Sequence, residues 1–176
     1  MIPPTLRSHR LELKALDPAG LDTAYAAWLN DPEINRYLEV RFEAQTPESI
    51  AQFVRAMNAS TDNYLFGIFA DLRHIGNIKL GPIDRHHRRG EIGLLIGDRS
   101  WWGRGIGREV IGLVTDFAFD ALKLHKVTAG CYAENEASHR AFLRAGWSDS
   151  GRYFEHVLLD GQWCDILRFE KVNPSR

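Results

Sequence analysis

Glu91-Ile92-Gly93-Leu94-Leu95-Ile96-Gly97-Asp98-Arg99-Ser100-Trp101-Trp102-Gly103-Arg104-Gly105-Ile106-Gly107 is the stretch that decides how this chain is read. Its first half, Glu91 to Asp98, alternates like a β-strand. Its glycine-rich second half runs into a segment where Val110, Val114, Phe117 and Ala121 recur at three- and four-residue spacing. That period predicts an amphipathic helix from Gly105 to about Leu122. A strand, a glycine turn and a helix N-terminus together form an anion cradle, because glycines let backbone N–H groups converge and the helix dipole favours negative charge. Two phosphate motifs fit poorly. A Walker loop needs Gly-Lys-Ser/Thr at the helix start, whereas Gly107 is followed by Arg108 and Glu109; the dinucleotide fingerprint needs a third glycine where Val110 stands.

Upstream, Tyr64 to Ala70 and Ile75 to Ile83 are β-rich runs joined by a short polar turn, and with Glu91 to Asp98 they make an antiparallel meander. Before them the pattern predicts an opening strand, Arg10 to Leu16, and a helical stretch from Asp17 through Trp28 that Asn30-Asp31-Pro32 interrupts. Thr46 offers a capping hydroxyl ahead of Pro47, which starts a second helix running to about Met57. Downstream, Val127 to Tyr132 is β-like. Asn135 then caps a helix that Gly146 closes, and two alternating runs meet at Asp160-Gly161 as a hairpin. The expected fold is α/β in the α+β sense: a mixed, mostly antiparallel sheet flanked by helices, in one domain over residues 1–176.

Composition narrows the function classes. Twenty-two Lys and Arg balance 23 Asp and Glu, for a net charge of −1. No global field draws the protein to nucleic acid or to a membrane, so an anionic ligand needs a local site. The start Met1-Ile2-Pro3-Pro4 lacks a signal-peptide pattern and no apolar run approaches the roughly 20 residues of a membrane span, so the expected compartment is the cytoplasm. Cys131 and Cys164 lie far apart, without neighbours at metal-ligand spacing, and read as reduced structural cysteines; no metal is expected.

Gly105 and Gly107 match the two small positions of Gln/Arg-x-x-Gly-x-Gly/Ala, and here the segment resembles the acetyl-CoA loop of the GNAT superfamily of N-acetyltransferases. Trp102 stands where that pattern has its polar first residue. Trp-Gly-Arg-Gly resembles the branch containing the ribosomal-protein N-terminal acetyltransferases, as do Arg10-Leu11-Glu12-Leu13, Trp28-Leu29-Asn30-Asp31-Pro32-Glu33, and Asn135-x-x-Ser138 with Gly146-Trp147. The resemblance implies acetyl-CoA as donor and no metal. It assigns the CoA phosphates to Trp102, Gly103, Arg104, Gly105, Ile106 and Gly107. It assigns pantetheine and the thioester carbonyl to backbone groups of Leu94, Leu95 and Ile96, on a strand splayed from its neighbour, with Asn135 and Ser138 also at the cofactor.

Transfer to an amine needs an oxyanion site, a base for the ammonium and a proton source for the leaving thiolate. Many family members place a Tyr seven residues after the helix-opening Asn; this chain has Phe142 there, and Ser138, one turn after Asn135, is the substitute the resemblance offers. For the base, Glu91 shares a strand face with Leu95, while Glu155 and His156 open the closing hairpin; a water relay is the alternative. Trp28, Asn30, Tyr37 and Arg41, with Asn77 and Tyr153 opposite, are the expected acceptor lining. Arg36, Arg41 and Lys79 tilt the reading toward an anionic acceptor such as an amino-sugar nucleotide, against a protein N-terminus or another small amine. The basic run Arg85-His86-His87-Arg88-Arg89 reads as a solvated loop. The competing class is a CoA-binding module that has lost catalysis with the Tyr. A homodimer is compatible with the sequence.

Overall fold

Asp22, not Asp17, starts the first helix: its carboxylate accepts the Ala24 N–H at 2.9 Å. In this computed structural model, which describes residues 2–175, the chain forms eight strands and four α-helices. They are β1 (Leu6–Arg7), β2 (Glu12–Lys14), α1 (Thr23–Asn30), α2 (Pro47–Ala59), β3 (Tyr64–Ala70), β4 (Arg73–Leu80), β5 (Arg89–Ile96), α3 (Ile106–Asp116), β6 (Lys126–Tyr132), α4 (Glu136–Arg144), β7 (Ser148–Leu159) and β8 (Gln162–Val172). The strands are ordered β1-β2-β3-β4-β5-β6-β8-β7 in one sheet. The expected mixed, mostly antiparallel sheet is present: β5 and β6 are parallel, while β1-β2, β2-β3, β6-β8 and β7-β8 are antiparallel. The parallel register runs from Arg89↔Lys126 to Ile92↔Ala129, so Leu94, Leu95 and Ile96 lie beyond it.

The chain divides into two units, Met1–Lys79 with Leu94–Arg104, and Leu80–Gly93 with Gly105–Arg176. In the first, Tyr25, Trp28 and Leu29 of α1 pack with Ile50 and Val54 of α2 and with Leu16 and Leu65. The start of α2 is a reciprocal cap in which the Thr46 hydroxyl accepts the Ser49 N–H at 3.1 Å and the Ser49 hydroxyl accepts the Thr46 N–H at 3.0 Å. Losing a cap of this kind costs about 1 kcal/mol. Trp28 also lies against Gly97, where an added Cβ would overlap the indole. The glycine before the loop is thus a condition for burying that ring.

In the second unit, Val110, Ile111 and Val114 of α3, Val127 and Ala129 of β6, and Phe142 of α4 are all buried. Phe142 stacks on Phe169 of β8 at a 5.1 Å centroid distance. After Asp116 the helix continues as a π turn over Phe117–Ala121. Asn135 caps α4 and Gly146 follows its end with φ of 77°, both as the sequence predicts. The hairpin turns at Asp160 and Gly161, both with positive φ.

The differences are local. The Asp17–Gly20 segment is a turn, closed by Gly20 N–H to Asp17 carbonyl at 3.1 Å, so the predicted helix begins six residues late. The opening strand is confined to Glu12–Lys14, and its partner β1 is too short to carry a periodic signal. The 3₁₀ turn over Glu39–Phe42 also has no sequence period. No helix among the described residues is long and apolar enough to cross a membrane.

Candidate active site

The glycine loop is braced from its own side of the chain. Asp98 accepts the Ser100 N–H at 2.9 Å and so caps a 3₁₀ turn over Arg99–Trp101. Arg99 reaches both carboxylate oxygens of Asp31, at 2.7 and 2.8 Å, and Glu33 at 2.8 Å. The Trp102 indole N–H donates to the Ile96 carbonyl at 2.8 Å, and the Arg10 guanidinium donates to the Arg104 carbonyl at 3.0 Å. Gly103 and Gly105 both have positive φ, of 71° and 77°.

Gly105 is the N-cap of α3, and no side chain caps this helix. The N-cap residue therefore offers no acceptor to the first-turn N–H groups, and it is exposed to solvent. With the Arg104 and Arg108 cations on either side in sequence, this local geometry fits an anion such as a pyrophosphate. Ile106, only 2% exposed, anchors the helix start.

Asn135 and Ser138 are brought together: the Asn135 side-chain oxygen accepts the Ser138 N–H at 3.1 Å. The Cys131 thiol donates to the Asn135 carbonyl at 4.0 Å, and the Ser138 hydroxyl favours its thiolate form. Burial nevertheless pushes Cys131 up to about 11, the serine only partly opposing it, so Cys131 is a neutral thiol near pH 7. Phe142, in the position a Tyr would occupy, is core, held between Phe169 and Trp147.

Glu91 lines an open groove of about 520 Å³ together with Arg89, Lys126, Thr128 and Arg168. Its carboxylate pairs with Arg168 at 2.8 Å. Arg168 in turn lies over the Tyr153 ring at 5.6 Å, and Tyr153 contacts His156 at 5.0 Å. Glu155 and His156 are exposed on β7.

The acceptor candidates of the first unit divide. Trp28 and Asn77 meet at the buried His74: the Trp28 and His74 rings are 5.1 Å apart, and His74 Nε2 is 3.0 Å from Asn77 Oδ1. The same nitrogen lies 2.9 Å from the Gly76 carbonyl, so it carries the proton and donates to both. Asn77 Nδ2 is buried without a hydrogen-bond partner, an orphan donor of the kind a ligand satisfies. Asn30, by contrast, is engaged by backbone: its Nδ2 donates to the Ala26 and Gln45 carbonyls at 2.8 and 2.7 Å and its Oδ1 accepts the Gln45 N–H at 2.9 Å. Arg41 donates to the Leu38 carbonyl at 2.9 Å and pairs with Glu39 at 3.7 Å. Arg36 lies over the half-buried Tyr37 ring. The loop Arg85–Arg89 is exposed throughout, as a solvated loop should be.

Sequence reasoning missed Arg10, the Arg99–Asp31 pair, Arg168 and Asp165. The first two join segments distant in sequence, and no local pattern reveals such a contact. Arg168 and Asp165 interrupt an otherwise apolar strand, Cys164 to Phe169, and that interruption is the signal that marks them.

The profile of the acetyltransferase (GNAT) domain matches residues 10–148. The chain is 30% identical to the uncharacterized N-acetyltransferase YoaA of Bacillus subtilis, over 97% of this chain and 98% of that one. Its fold is similar to that of a spermidine N-acetyltransferase from Vibrio cholerae in complex with CoA and spermine, with a TM-score of 0.83 at 22% identity, covering 94% and 97% of the two chains. It is similar in the same way to a ribosomal alpha-N-protein acetyltransferase in complex with coenzyme A, with a TM-score of 0.86 at 17% identity, covering 98% and 100%.

Proposed function

This chain belongs to the GNAT acetyltransferase family and is an acetyl-CoA acetyltransferase; we propose that it moves the acetyl group directly onto the primary amine of a small acceptor, with no acetyl-enzyme in between. The observation that carries the donor half is the left-handed, uncapped Gly105 start of α3, whose N–H groups suit the CoA pyrophosphate. When bound, the donor supplies an activated thioester. The backbone groups of Leu94, Leu95 and Ile96 orient it, and Trp102 to Gly107 hold its phosphates. Direct transfer is supported by Cys131: a thiol pushed up to about 11 is a poor nucleophile at neutral pH.

Ser138 is the proposed proton donor to the leaving thiolate, since its hydroxyl is free of the cap that its N–H makes with Asn135. Glu91 is the proposed base, with Glu155 the alternative on the opposite hairpin. The orphan Asn77 amide is the proposed acceptor contact of the first unit, and the Tyr153 ring is proposed separately for the second. A small amine is favoured by the likeness to a spermidine acetyltransferase. An anionic amino sugar keeps less support than the sequence suggests, because Arg41 is already bonded to Leu38 and Glu39. A protein N-terminus is the second reading, favoured by Ser138 paired with Phe142 in place of a Tyr. Thiol release from acetyl-CoA with spermidine, glucosamine 6-phosphate and a short peptide with a free N-terminus separates these acceptors. Release that no amine accelerates would reject the reading.

A further inference from the structure

β7 pairs with β8 in two stretches whose registers do not match. Tyr153 faces Ile166 and Val157 faces Cys164, so Phe154, Glu155 and His156 are set against the single residue Asp165. The crowded side is a bulge, and within it Glu155 has φ of 46°, a left-handed backbone that a residue with a Cβ adopts reluctantly. Burial does not compensate this strain. Phe154 is 77% exposed, and Glu155 and His156 are exposed as well.

What holds the bulge is Asp165. One carboxylate oxygen accepts the Glu155 N–H at 2.6 Å and the other accepts the Arg152 Nε–H at 2.5 Å. The Glu155 N–H first, and then Arg152, hold this carboxyl below the usual carboxylate range. The backbone of the same residue faces the other way: its carbonyl accepts the Ala133 N–H at 2.9 Å, two residues before the Asn135 that caps α4. Asp165 therefore ties the segment leading to Ser138 to the bulge carrying Glu155. From the bulge the contacts continue through Tyr153 and Arg168 to Glu91. A strained, exposed bulge held by both oxygens of one carboxylate, next to two candidate catalytic groups, is a device for aiming side chains.

We infer that Asp165 is a positioning residue for acetyl transfer: it fixes the β7 bulge so that Tyr153, Glu155 and His156 meet the acceptor amine. The inference rests on the proposed direct transfer to an amine. It differs from a merely structural role, in which the bulge only ends pairing along an edge strand and the acceptor never senses it.

The experiment uses the full chain with Asp165→Ala, Asp165→Asn and Arg152→Gln, and the fastest of the three probes (spermidine, glucosamine 6-phosphate or the peptide) as acceptor. KM and kcat for that acceptor, calorimetric affinity for acetyl-CoA and the Glu155 and His156 amide resonances are measured. Asp165→Ala should move both resonances and raise acceptor KM or lower kcat by about tenfold or more, with acetyl-CoA affinity within about twofold. Asp165→Asn keeps an oxygen for the Glu155 N–H and should fall between Ala and the parent. Arg152→Gln, which keeps the whole carboxylate, should do least. If Asp165→Ala fails to fold, the ranking of the other two variants carries the test. Moved resonances with unchanged acceptor kinetics would overturn the inference, as would equal losses in acceptor kinetics and acetyl-CoA affinity. If the parent acetylates none of the probes, the failure belongs to the proposed function, and the inference falls with it.

Discussion

The Trp102 indole N–H donates to the carbonyl of Ile96 at 2.8 Å, so the loop folds back onto the end of the strand that precedes it. The family pattern has a polar residue at that position. Here the indole supplies a polar contact and also lies near Arg99, whose guanidinium carbon is 5.9 Å from the ring. Trp102→Phe keeps most of the ring and removes the donor, with an expected loss of about 1 kcal/mol, or about fivefold in acetyl-CoA affinity if the bond holds the loop in its binding shape. Calorimetry on the folded variant decides. An unchanged affinity would make the bond a local feature of the turn.

Gly105→Val is the stronger perturbation of the same loop. A φ of 77° is open to glycine, while a residue with a Cβ loses roughly 1–2 kcal/mol there. A β-branched side chain would also stand over the first-turn N–H groups. Circular dichroism should show a folded protein with acetyl-CoA affinity reduced by about a hundredfold or more, the order expected when a charged ligand loses several hydrogen bonds. Normal affinity in a folded variant would remove this loop from the donor site.

Ser138 and Cys131, both bonded to Asn135, make opposite predictions. Ser138→Ala should lower kcat by about tenfold to a hundredfold with little change in KM for acetyl-CoA, as for a proton donor used mainly in the transition state. The Asn135 cap survives this change, because it uses the Ser138 N–H. Cys131→Ala should keep most activity. A pure KM effect in the first variant would make Ser138 a donor-binding residue.

These predictions concern segments that differ in how much the sequence reveals. The α2 cap at Thr46-Pro47, the strand Tyr64–Ala70 and the Asp160-Gly161 turn follow local chemistry and appear where that chemistry puts them. The loop was legible through its glycines and the helical period after them. Its braces were not, because Arg10 to Arg104 and Arg99 to Asp31 are contacts across the chain. Asn30 shows the converse limit: an amide at a helix end looks available in sequence, yet three backbone bonds occupy it. The β7 bulge was hidden because Tyr153 to Val157 gives no sign that the register will shift.

His74 gives a pH dependence whose sign is fixed. Burial lowers its pKa below the ordinary value of 6.5, against the bonds to Asn77 and Gly76. At pH values between the folded and ordinary values the unfolded chain binds more protons, so stability is full above about 6.5 and is lost as pH falls from there toward the folded value. Melting temperatures from pH 7.5 to 5 should therefore drop, and His74→Gln should flatten that part of the curve. A parent curve flat across this range would contradict the buried neutral imidazole.

Transfer from acetyl-CoA to an amine without an acetyl-enzyme is tested in one measurement with isotope-labelled acetyl-CoA. The protein is mixed with the labelled donor and the fastest acceptor of the panel, and intact protein, N-acetyl product and free CoA thiol are quantified together by mass spectrometry. Direct transfer yields labelled N-acetyl product and thiol in equal amounts, with the protein mass unchanged throughout turnover. Label on the protein at Cys131 that then passes to the amine, or thiol release that ignores the amine, would contradict it.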